Sequence, residues 1–116
     1  MGCLPLNTGL ALLILLGAAV LEAGGDALVR AGLTYPAPAR RALLFASGGL
    51  VLLAYGFLVN APRWDFGRLL GIYVVFFFLV AQAVSWIGFG QKPTLPILAG
   101  GVCIVMGGLI MTLWKP

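Results

Sequence analysis

Three ionisable residues, Glu22, Asp26 and Arg30, stand four apart inside a stretch that otherwise reads as hydrocarbon. On an α-helix that spacing lines them along one stripe. The preceding run, Leu-Ala-Leu-Leu-Ile-Leu-Leu-Gly-Ala-Ala-Val-Leu from Leu10 to Leu21, is long enough to carry the Glu22 carboxylate well into a bilayer. A charge at mid-membrane costs about 2.5–3.5 kcal/mol on insertion scales, so such a side chain faces a partner helix or a water-filled cavity. A carboxyl group held out of water favours its neutral form and gives up its proton when a cation offers better compensation. Glu22 is therefore the leading candidate for a site where protons and a cation compete; the alternative is a structural carboxylate neutralised by Arg30. Asp26 has two roles open to it. It precedes Arg30 in the favourable i,i+4 order for a salt bridge, or it adds a second acid to the site.

Such a stripe needs a membrane around it. The 116 residues are 62% hydrophobic and 9% charged, with a mean hydropathy of +1.12, which identifies an integral membrane protein in contact with lipid. Lys and Arg number 7 against 3 Asp and Glu, and they sit mostly at the edges of apolar runs. That is the pattern of membrane flanks and not of a nucleic-acid footprint, so no nucleic-acid partner is expected. There is no His, and Cys3 and Cys103 lie far apart, so neither a metal, a disulfide framework nor another cofactor is expected. No Cys–His, Ser–His or paired-acid constellation can be assembled, which makes an enzyme the least expected class. Leu6 breaks the myristoylation pattern after Met1-Gly2, and no Lys or Arg precedes the first apolar run as a cleaved signal would require.

Four apolar spans follow, at about 10–33, 41–60, 66–89 and 95–114, each long enough to cross about 30 Å at 1.5 Å per residue. Asn7 or Thr8 is placed to cap the first, Pro36 and Pro38 mark the first linker, Ala61-Pro62 closes the second span, and Gly90-Gln91-Lys92-Pro93 makes a tight turn. Because hydrocarbon offers backbone groups no hydrogen-bond partner, spans of this length are helices. The expected fold is an all-α, single-domain bundle of four transmembrane helices in two hairpins, too thin for an internal path without a second subunit. Arg63, Arg68 and Lys115 fall on one side, and Arg40, Arg41 and Lys92 on the other, joined by Arg30 if it snorkels. This near balance leaves orientation open and admits insertion both ways with antiparallel pairing.

Aromatic and small residues fill in the candidate site. Aromatic faces attract organic cations by about 0.5–2 kcal/mol each. Tyr73, well inside the third span, adds a hydroxyl able to bond a carboxylate, and Tyr55 lies in the second span. Trp64, Trp86 and Trp114 sit near span ends, as interfacial belts do. Gln82 falls on the opposite face from Tyr73 and is expected to bond a neighbouring helix. Gly17, Gly24 and Gly25 thin the first helix, with Gly25 adjoining the site. In the fourth span Gly100, Gly101, Gly107 and Gly108 place small residues seven apart, a pattern for helix contact between subunits.

Taken together these residues resemble the small multidrug resistance family, four-helix exporters of the drug/metabolite transporter superfamily. The resemblance is carried by Leu21-Glu22-Ala23-Gly24-Gly25 through Arg30, and by Ser85-Trp86, Gly90-Gln91-Lys92, Leu95-Pro96, Gly100 and Gly107. Tyr73 falls where the family has a third-helix aromatic. Val75-Phe76-Phe77 replaces the glycine-containing stretch that lets the family's third helix kink, and the loop before it is longer. Phe66-Gly67-Arg68 with Tyr73, and Glu22-Ala23-Gly24-Gly25, look closer to the YnfA-like branch; Asp26 is extra. The resemblance implies a homodimer, antiparallel, in the bacterial inner membrane, whose two Glu22 carboxylates bind either protons or a small cationic substrate. It implies Glu22, Asp26, Tyr73, Gly25 and Tyr55 at the site, and Gly100, Gly107, Arg30 and Trp86 in structure or dimer contact. Rival expectations are a small structural or regulatory membrane subunit, and a translocase of lipids or lipid-linked sugars.

Overall fold

The computed structural model describes residues 8–114 and contains four helices, α1 (Thr8–Thr34), α2 (Pro38–Val59), α3 (Phe66–Phe89) and α4 (Leu95–Leu113). Each is long and apolar enough to cross a membrane, and the chain is an all-helical multi-pass membrane protein. The span α3 has the expected bounds. Helix α2 starts at Pro38, ahead of the expected 41, because proline's fixed φ suits a first helical turn and its missing N–H is unpaired there anyway. Arg40 and Arg41 therefore belong to that turn instead of preceding it. Helix α4 likewise begins with proline in its first turn and ends at Leu113, since Trp114 is already extended. Asn7 as a cap, Cys3 and Lys115 lie outside the described residues.

The helices pack in a chain of neighbours. Helix α1 lies against α2 and α3, and α4 lies against α3 alone. The result is a slab of 52 × 38 × 19 Å with little interior. Its core gathers Leu15, Ala18 and Ala19 of α1 with Val59 of α2 and Leu69, Ile72 and Tyr73 of α3. Alanine at two of these positions, Ala18 and Ala19, lets two helix backbones approach α1 closely. The α1–α2 seam is tighter still: a Cβ on Gly48 would stand 2.8 Å from Val29 Cγ2 and 3.0 Å from the Gly25 carbonyl oxygen. Only glycine leaves room for that backbone.

Between α3 and α4 the small residues are Gly101, which receives the Phe78 ring, and Gly108, which receives Val75. The antiparallel pair is tied at one end by Arg68, whose Nε and Nη2 donate to the Met111 and Thr112 carbonyls at 3.2 and 3.5 Å. These carbonyls belong to the last turn of α4, where intrahelical donors run out and basic side chains are favoured. At the other end Gly90 takes up φ 68°, the only positive φ among the described residues. The chain there turns back so that the Gly90 and Gln91 amides donate to the Trp86 and Ser85 carbonyls.

Candidate functional site

Glu22 lies at the middle of the Gly9–Thr34 span. Its carboxylate is met there by Tyr73, whose hydroxyl donates to Glu22 Oε1 at 2.7 Å and ties α1 to α3. Tyr73 is only 4% exposed, so the bond is sheltered and worth more than one facing water. The Tyr55 ring of α2 lies 5.7 Å from that of Tyr73, tilted by 35°, and Phe77 stacks on Tyr73 at 6.2 Å. One acid is thus flanked by aromatic rings from two helices, the arrangement that favours an organic cation. Phe77 was not singled out in the sequence, although it stands four residues after Tyr73 and so on the same helical stripe.

Asp26 and Arg30 look elsewhere. They line a cavity of about 240 Å³ between α1 and the second half of α3, with Phe77, Val84, Phe89 and Gln91 among the opposing residues. Glu22 does not line it. Arg30 lies over the Phe89 ring, 5.4 Å from its centroid. Among the described residues no ion pair joins Arg30 to Asp26 or to Glu22. The Ser85 hydroxyl reaches the Gln91 carbonyl and Oε1 at 3.3 and 3.2 Å, which holds Gln91 at the rim of the cavity.

The remaining candidates separate by location. Gly25 packs on Gly48 and Leu52 of α2, so it serves the α1–α2 seam and does not line the cavity. Gly100 and Gly107 face open space, with nothing within 4 Å of an added Cβ. Trp86 is half exposed, with Lys92 Nζ 5.7 Å from its ring. The expected bond from Gln82 to a neighbouring helix is not made among the described residues, where Gln82 is part-buried. The cations at this end of the bundle stack on rings throughout: Arg40 on Tyr35 and Arg41 on Phe45 join the two pairs already named. Arg68 on Trp64 does the same at the opposite end. Long basic side chains on aromatic faces suit the membrane–water boundary.

No group of three or more His, Cys, Asp or Glu side chains able to hold a metal occurs among the described residues. No protein-family model, curated protein or solved structure matches the chain.

Proposed function

We propose that the chain is a proton-coupled exporter of small cationic compounds, of the small multidrug resistance type, acting as an antiparallel homodimer in a bacterial inner membrane. The observation that carries this reading is the pairing of Glu22 with Tyr73 at mid-span under the rings of Tyr55 and Phe77. An acid at that depth has few stable states: it holds a proton, or it holds a cation. Each cation that binds to a protonated site displaces one proton, and exchange between two oppositely open forms turns that competition into antiport. The thin slab and the open Gly100–Gly107 face support a second subunit, since small residues on a lipid-exposed face invite helix contact.

The test is proton release from the detergent-solubilised protein on titration with guanidinium or a quaternary ammonium ion. The wild type releases protons, and Glu22→Gln releases none while remaining dimeric by cross-linking. Unchanged proton-driven efflux from vesicles holding that variant overturns the reading. A structural subunit would give no ligand-dependent release from either protein. Arg30, a basic side chain lining a cavity next to the site, favours a second reading, movement of lipid-linked anionic head groups. That reading requires Arg30→Gln to abolish transport and Glu22→Gln to spare it.

A further inference from the structure

We infer that the cavity between α1 and the second half of α3 is a binding site for a short zwitterion, whose ammonium end meets Asp26 and whose carboxylate end meets Arg30. For what becomes of the bound molecule this rests on the exporter reading, but occupancy itself does not. The two side chains have opposite charge, share one wall and stand four residues apart, about 6 Å along the axis. They do not neutralise each other, because Arg30 lies over Phe89. Both side chains are exposed and open to a ligand, and one carrying the mirrored pair compensates both while adding no net charge. A simple cation would satisfy Asp26 and face Arg30; a simple anion would do the reverse.

The rest of the cavity narrows the ligand further. Its facing wall is apolar, built from Phe77, Val84 and Ala81, which suits a methylene spacer between the charged ends. Its 240 Å³ is below the range of about 300–1,000 Å³ typical of drug-sized pockets, so the ligand is small. Gln91, bonded by Ser85, adds an amide to the lining. Glu22 is one turn deeper, engaged by Tyr73 and outside the cavity lining, with Phe77 bordering both.

The experiment is calorimetric titration of the solubilised full-length protein at neutral pH with 4-aminobutanoate, and with n-butylamine and butanoate as controls that each delete one charge. The wild type should bind 4-aminobutanoate at least about tenfold more tightly than either control, each lost charge pair accounting for that factor. Arg30→Gln should abolish the preference over n-butylamine, and Asp26→Asn the preference over butanoate. Glu22→Gln should leave both preferences in place while removing cation-driven proton release. Within the described chain Arg30→Gln gives up only the contact with the Phe89 ring and Asp26→Asn breaks no ion pair, and circular dichroism checks that helix content is unchanged. Absence of 4-aminobutanoate binding, equal binding of the three compounds, or a preference that survives Arg30→Gln overturns the inference. If cations still displace protons in such a case, the exporter reading stands without it; if the zwitterion binds and no proton is displaced, the reverse holds.

Discussion

Helices α1 and α4 are alike in composition, both apolar and both rich in glycine, yet they are held in opposite ways. Helix α1 is clasped by two neighbours and buries Ala11, Leu15, Ala18, Ala19 and Ala23 among them. Helix α4 meets α3 alone, and its buried positions are Gly101 and Gly108. The adjacent glycines, Gly100 and Gly107, look outward with Val102, Met106, Leu109 and Ile110 exposed around them. The chain therefore fixes its acid-bearing helix by itself and leaves its last helix half finished. Among the described residues nothing but α3 packs on α4, and in the proposed dimer a second copy would cover its outward face.

The sharpest way to break this contrast is to fill the internal seams. Gly48→Leu forces a side chain against Val29 and the Gly25 backbone, and Gly108→Leu forces one into Val75. Each should destabilise the chain by up to about 3 kcal/mol, read from unfolding in mixed micelles followed by circular dichroism. Gly107→Leu, one residue away from Gly108, should leave unfolding within about 0.5 kcal/mol of the wild type, as surface changes do. It should instead weaken association between labelled subunits about tenfold, equivalent to about 1.4 kcal/mol, measured by energy transfer. If Gly107→Leu unfolds the chain as Gly108→Leu does, the two faces of α4 are not distinct. A smaller effect is expected on the α1 side, where Tyr73→Phe keeps the ring against Phe77 and removes only the donor to Glu22. Loss of that bond should cost about 1 kcal/mol with unchanged helix content. Smallest of all is Arg68→Ala, because its bonds to α4 are exposed and one is long. It should speed amide exchange in the last turn of α4 and cost about 0.5 kcal/mol.

The spans were legible because a helix in hydrocarbon must be both long and apolar, and both properties are local. Helix faces are not local. Gly25 follows Glu22 by three residues and so lies near the same stripe, yet α2 approaches from that flank and Gly48 claims it. Nothing in the order of residues says which side a neighbour takes. Tyr73 was legible as a hydroxyl deep in a span; its stacking on Phe77 was not singled out, although the four-residue spacing allows it. Arg68 could have been found: antiparallel α3 and α4 bring the start of one beside the end of the other, where a base meets unpaired carbonyls. That Arg30 prefers a ring to Asp26 was not readable, since Phe89 is 59 residues away in sequence.

Helix α3 runs unbroken from Phe66 to Phe89, with neither glycine nor proline between Ile72 and Ile87. β-Branched and aromatic residues fill its centre, including the Val75 and Phe78 side chains that key into α4. Such a segment bends poorly at any one residue. For the proposed exporter, so stiff a central strut means opening by tilting whole helices, α3 carrying α4 with it, and the lever arm for that rocking would be the full height of the bilayer.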